Sequence, residues 1–250
     1  MAKIQFTDAR WKIRWASRHI AKINAFLHAL NAPDGYTVRE DFDAQTGQQF
    51  IEYGFKRKFP GKVLALHIGD AVHSLNCALD YSWMKTLKKI SPASVSAYSK
   101  FPIYSESSGV ENALRSNKIK EDSALHKIFT SEIKPYAGGN DALWTIHEID
   151  IADKHHLLIP SLEVGVTSLS LKNDKQGTRN VLCVFTLENL YRYNIPENET
   201  FQGNDAVNVK VVFGEEIPPK GQEIIPILRK LPREVLNIVE RLERLVETGS

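Results

Sequence analysis

Between Pro60 and about Ile90 the apolar residues Leu64, Ile68, Ala71, Val72, Leu75, Ala78 and Leu79 recur at spacings of three and four, which brings them to one side of a helix. A helix of that length with one apolar face needs other elements to cover it, so the stretch predicts the central helix of a helical core. Its other side is unusual. At about 100° per residue, His67, Asp70, His73, Ser74, Cys77, Asp80 and Tyr81 fall together opposite the apolar face. A wet helix face ordinarily carries Lys and Glu, whereas this one carries short polar and imidazole groups suited to hydrogen bonding or proton transfer. The plainer expectation is that neighbouring helices cover the stripe and its members pair with one another.

The rest of the chain supplies the cover. From Thr7 to Ala32, Ile13, Ala16, Ile20, Ile23, Leu27 and Leu30 form one buried stripe, with Thr7 or Asp8 as cap and the run from Asn31 to Gly35 as stop. Residues Tyr36 to Lys58 change to strand character around Asp43–Gly47, which predicts a β-hairpin. Two short amphipathic helices are expected near Gly109–Ser116 and Ser123–Ile133. A further helix, capped by Asn140 or Asp141, is expected to run to about Leu158. Beyond Pro160, Leu162–Leu171 and Asn180–Leu190 alternate like strands around Lys172–Gly177, Ala206–Phe213 reads as a third strand, and Pro232–Glu247 as a last helix. This order is neither βαβ nor a repeat array. The expected class is α+β: one domain over residues 1–250, with a bundle of five to six helices (7–158 and 230–247), an N-terminal β-hairpin and a C-terminal antiparallel β-meander (160–213).

Composition narrows the function classes. The chain has 250 residues, 42% of them hydrophobic and 25% charged, which is globular rather than disordered composition, and a net charge of +2 gives no strong overall field towards nucleic acid or membrane. Two cysteines cannot make a disulfide framework. Arg10, Lys12, Arg14, Arg18 and Lys22 interrupt every candidate signal core, and no stretch reaches the roughly 20 apolar residues that span a bilayer. A cytoplasmic location without membrane contact is expected.

A second cluster of chemical groups lies in the helix after Asn140, where His147, Asp150 and Lys154 share a face while Asp153 and His156 are expected to point elsewhere. Both helices therefore hold His-x-x-Asp, as His67/Asp70 and His147/Asp150. Two such pairs face to face would offer four ligands to a divalent metal, the one cofactor this pattern suggests. With eight histidines in the chain, two chance occurrences are also expected. Walker A, Gly-x-Gly-x-x-Gly, Gly-x-Ser-x-Gly and Cys-x-x-Cys patterns are absent from the sequence. The first helix region carries Lys3, Arg10, Lys12, Arg14, Arg18 and Lys22 against Asp8 alone, with Trp11 and Trp15 one turn apart. Basic and aromatic groups together can hold RNA. The stronger expectation is a basic face paired to acids elsewhere, with both tryptophans in the core.

Three segments, Ile68–Tyr81, Phe101–Ile103 and Leu143–Leu158, together resemble a widespread family of uncharacterised bacterial proteins with a Leu-Arg-Ser-Ala-Leu-Asp-His and an Asp-Lys-His pattern. The first pattern is similar to the Arg-x4-His motif of HEPN ribonucleases, in which an arginine and a histidine, commonly across a homodimer, cleave RNA without metal. Here the matching positions are Asn76 and Tyr81, so the phosphate-binding cation and the imidazole are both missing, whereas Asp80 and Asp153-Lys154-His155 match. The resemblance thus implies two readings. In one, Asp80, Lys154 and His155, with His73, line a cleft and cut RNA or another phosphodiester. In the other, the same residues form a buried network in a catalytically degenerate HEPN-like scaffold or interaction module, which the vacated Arg and His positions favour.

Overall fold

The computed structural model describes residues 6–32, 34–56, 61–96, 98–155, 165–173, 175, 177–185, 191–204, 208–214 and 219–248. Among them the architecture is α+β, with six α-helices and two antiparallel sheets. Helix α1 (Thr7–Asn31) buries Ala9, Ile13, Ala16, Ile20, Ile23, Leu27 and Leu30, the stripe expected from its period, together with His19. Thr7 and Asp8 lie inside its first turn rather than capping it. A carboxylate from the far end of the chain takes that place, with the Phe6 backbone N–H donating to Glu243 Oε1 at 3.3 Å and Arg10 also bonding Glu243. An acid at a helix N-terminus complements the helix dipole. The helix stops where Gly35 follows, at a site where a Cβ would stand 2.5 Å from the Leu30 carbonyl oxygen.

The expected hairpin forms as β1 (Tyr36–Phe42) and β2 (Gln49–Phe55). Its turn is built by Asp43, whose Oδ1 accepts the backbone N–H groups of Gln45 and Thr46 at 3.0 Å each, and by Gly47 at φ +70°. Helix α2 (Gly61–Ile90) follows, and then α3 (Ser107–Ser116). Next comes α4 (Ala124–Lys127), whose first turn is capped by Ser123 and which runs on into a π-helical turn at Ile128–Ile133. Helix α5 (Asp141–His155) is capped by Asn140, whose Oδ1 accepts the Leu143 N–H at 3.1 Å while its amide donates to Glu234 at 3.0 Å. The expected extension to Leu158 lies outside the described residues.

The C-terminal strands are not a simple meander. Strands β3 (Gly165–Asn173) and β4 (Gly177–Phe185) pair as expected, with β6 (Glu199–Asn204) and β7 (Asn208–Val209) on the other edge of β3. The intervening β5 (Tyr191–Asn194) leaves this sheet and pairs with β2, so the N-terminal hairpin becomes a three-stranded sheet. Residues 162–164, 186–190 and 206–207, assigned to strands from sequence, lie outside the described residues.

Helix α6 (Ile224–Thr248) begins ahead of Pro232, which sits inside it. Proline there removes one backbone donor. Ile224, Ile225, Leu228 and Leu231, upstream of it, are buried on the same face as Val235, Ile238, Val239 and Leu242, and that burial sustains the longer helix. The apolar face of α6 is therefore consumed by the chain's own core, and α6 does not offer it to a second copy. Helix α2 is the centre: α1, α5 and α6 all pack on it, and Trp83 from its C-terminal half meets Phe101 and Phe129 with ring centroids 6.4 and 5.1 Å away.

Candidate functional site

The polar stripe of α2 is divided between two neighbours. On the α5 side, Asp150 is the hub, only 3% exposed. His73 Nδ1–H donates to its Oδ1 at 3.0 Å, Asn76 Nδ2 donates to its Oδ2 at 2.7 Å, and Lys154, one turn along α5, bonds the same oxygen. Burial raises the pKa of the Asp150 carboxyl, but the Lys154 and His73 hydrogen bonds outweigh it, and the group ends below its ordinary range. The carboxylate is thus charged, desolvated and held by three donors. The spacing that produces this is simple: His73 and Asn76 are three apart on α2, Asp150 and Lys154 four apart on α5, and each pair shares a face.

Asp153 also faces α2, contrary to the expectation that it points away. Its carboxylate covers Gly69, where a Cβ would stand 2.4 Å from the carboxylate oxygens. Glycine at position 69 is what lets α5 come this close. Burial raises the pKa of the Asp153 carboxyl, and the neighbouring charges of Asp150 and Asp70 add to the rise. Further along α2, Asp80 Oδ1 accepts the Phe101 backbone N–H at 2.7 Å, which fixes the buried loop at Phe101–Ile103 against the helix. Burial pushes this carboxyl up, and the Phe101 bond only partly offsets it. Residues 101–103 and helix α5 thus each meet α2 through its polar stripe. The side chain of His155 and all of His156 lie outside the described part of the structure.

Cys77 Sγ stands 3.5 Å from His73 Nε2, so Cys77, His73 and Asp150 are arranged in series like a nucleophile, a base and its orienting acid. The thiol itself argues against that use, because burial pushes its pKa up, where a nucleophilic cysteine needs it lowered. The Asn76 amide and the Lys154 ammonium, which could have stabilised a developing negative charge, are both bound to Asp150.

On the α1 side the stripe meets a different partner. His67 Nδ1 lies 3.1 Å from His19 Nδ1, and Asp70 Oδ2 lies 3.6 Å from the same atom. The four residues suggested as one metal site are thus divided: His67 and Asp70 turn to α1, Asp150 to His73, Asn76 and Lys154, and His147 stacks near Trp144 with centroids 5.2 Å apart. Among the described residues, the one cluster of three metal-type ligands is His19, His67 and Asp70. Burial lowers the pKa of His19, with Asp70 opposing the shift, and burial likewise lowers that of His147.

Trp11 and Trp15 are not in the core. They are 56% and 50% exposed, the Arg14 guanidinium lies 5.2 Å from the Trp11 ring centre, and that of Arg18 lies 5.8 Å from Trp15. The wheel of α1 already contained this answer, since residues 11 and 15 are each two positions, or about 200°, from Ile13 on the buried stripe. The basic face splits accordingly: Arg10 pairs with Glu243, whereas Arg14 and Arg18 cover aromatic rings. His19 escaped the sequence reading because a single histidine beside Ile20 resembles any edge-of-core residue, although its spacing from Ala16 and Ile23 put it on the buried side.

The fold and site so far define an α+β protein whose central helix carries one closed and one open polar seam. Comparison with family models, with curated proteins and with solved structures finds no match, so the functional argument rests on these residues. Among the described residues, no helix is long and apolar enough to cross a membrane.

Proposed function

We propose that this chain is a catalytically degenerate, HEPN-like interaction module that acts by binding rather than by cleaving. One observation carries the reading. At the position corresponding to the arginine of the HEPN ribonuclease motif stands Asn76, and its amide is spent on buried Asp150 instead of being offered to a phosphate. Tyr81, at the histidine position, presents a 40% exposed phenol where the chemistry needs an imidazole. His73 and Lys154, the groups that could have replaced them, are tied to the same carboxylate.

The exposed α1 face favours RNA as the bound class. Two half-exposed tryptophans, each under an arginine, offer stacking surfaces to unpaired bases and cations to the backbone. The test uses fluorescein-labelled single-stranded RNA with purified protein, with and without Mg2+ or Mn2+. Salt-sensitive binding without cleavage is expected, weakened in Trp11→Ala/Trp15→Ala. Cleavage that disappears in His73→Ala or Lys154→Ala would overturn the module and restore the metal-independent phosphodiesterase. Neither binding nor cleavage would remove RNA as the ligand.

A further inference from the structure

A histidine on α1 meets a His-x-x-Asp pair on α2, although nothing in the sequence couples position 19 to positions 67 and 70. We propose that His19, His67 and Asp70 form a divalent transition-metal site of the zinc type, with two imidazole nitrogens, one carboxylate oxygen and an open position facing solvent.

The geometry is the first support. His19 Nδ1 stands 3.1 Å from His67 Nδ1 and 3.6 Å from Asp70 Oδ2, and one ligand atom from each residue lies within 4.8 Å of the others. Ligands bound to zinc at about 2.0–2.2 Å in a tetrahedron are roughly 3.3–3.6 Å apart. The His19–Asp70 distance lies at the upper end of that range and the His19–His67 distance a little below it. His67 and Asp70, three apart on α2, project from one helix face, so the remaining adjustment falls on a carboxylate side chain that is 62% exposed and free to change rotamer.

The setting is the second support. His19 is buried, and its ring lies T-shaped to that of Trp15 with centroids 5.3 Å apart, so the innermost ligand is held in place. His67 is half-buried and Asp70 exposed, which grades the site from protein to solvent and gives an ion a way in. Two imidazole nitrogens and one carboxylate are the donor set that borderline divalent ions prefer to Mg2+ or Ca2+, which favour all-oxygen sites. The Asp153 carboxylate covers Gly69, the residue next to Asp70, and so places a second acid close by. Without an ion, the two rings are left to share one proton as a simple His–His hydrogen bond. A three-ligand site also differs in kind from a structural one: its fourth position takes water or an outside donor, beside the exposed Arg18–Trp15 pair.

The test needs no knowledge of activity and does not depend on the RNA reading. Tag-free protein is stripped with chelator, dialysed and titrated with Co2+ while its visible absorption is followed. Zn2+ and Mg2+ are then used as competitors. One equivalent of Co2+ with a tetrahedral-type band is expected, displaced by Zn2+ but not by Mg2+. Because His19 is buried and its replacement could impair folding, the informative variants are His67→Gln and Asp70→Asn. Each should weaken binding by more than the roughly 10- to 100-fold that loss of an outer partner costs, while His147→Gln binds as the parent does. A parent protein with no saturable band, variants that bind as well as the parent, or a loss confined to His147→Gln would each overturn the assignment. The first of these would leave the His–His hydrogen bond as the whole content of the cluster.

Discussion

The two sides of α2 use the same kinds of residue to opposite ends. Towards α5, the buried charge at the centre has an answer: Asp150 is bound by His73, Asn76 and Lys154. Towards α1, two imidazoles meet each other 3.1 Å apart, and the carboxylate beside them is largely in solvent. Burying a charge is tolerable only where donors replace the lost water. The α5 seam meets that condition and so locks two helices together. The α1 seam brings two imidazole nitrogens and a carboxylate oxygen together beside exposed aromatic rings. One seam is structure and the other is an open site, and the contrast is set by what each neighbouring helix brings to α2.

The harshest test removes the hub. Asp150→Ala deletes three hydrogen bonds to one carboxylate, two of them from cationic or potentially cationic donors, and should lower stability by about 2–4 kcal/mol. Asp150→Asn keeps the shape and loses the charge, and should fall between that variant and the parent. On the other side, Asp70→Asn removes an exposed carboxylate and should change stability by less than about 0.5 kcal/mol in metal-free buffer. Urea unfolding of the three variants measures all of this. Equal costs at positions 150 and 70 would erase the distinction between the seams.

How far this was legible beforehand follows from what periodicity can and cannot carry. A 3.6-residue period identifies which side of a helix is buried, so the cores of α1, α2 and α6 and the polar stripe of α2 were readable. Residue type marked Asp150 and Lys154 as chemically special. Period says nothing about which neighbour covers a given side, and so His67/Asp70 and His147/Asp150 looked like one four-ligand site when they belong to different seams. The same limit hid β5, since Tyr191–Asn194 is short and its partner β2 lies far back in the sequence. It also hid the close approach at Gly69, which depends on where α5 passes. The tryptophans differ for another reason: the general tendency of Trp to be buried yields, at positions 11 and 15, to their place on the outer side of the wheel.

A smaller effect sharpens the comparison through pH. The folded pKa of Asp150 lies below the ordinary value of 3.8, so its contribution to stability is fully present above that value and is lost as pH falls through the depressed one. Asp80 and Asp153 are shifted the opposite way. Their charged forms cost stability at neutral pH, and that cost is relieved as pH falls through their raised values. Asp153→Asn should therefore raise the melting temperature at pH 7, with the gain shrinking as the parent's Asp153 becomes protonated on acidification. In Asp150→Asn, the part of the acid-induced loss below about pH 4 that belongs to Asp150 should be missing. Scanning calorimetry from pH 7 down to pH 3 reads both. An Asp153→Asn variant that is less stable than the parent at pH 7 would mean that Asp153 holds the helices together rather than strains them.

A small effect is also expected where the largest side chains are changed. Removing a core tryptophan costs about 3–5 kcal/mol, but Trp11 and Trp15 bury little, and each arginine–ring contact at an exposed position is worth about 0.5–1 kcal/mol. Trp11→Ala and Trp15→Ala should thus each cost no more than about 1 kcal/mol by urea unfolding, against an expected multiple of that for Trp83→Ala, whose ring is 1% exposed. Acrylamide should quench the parent's fluorescence strongly, and the double variant should lose most of that accessible emission. A loss of several kcal/mol at position 11 or 15 would mean that these rings support the core. The α1 side of α2 would then be as closed as the α5 side, and no surface would remain there for a ligand to use.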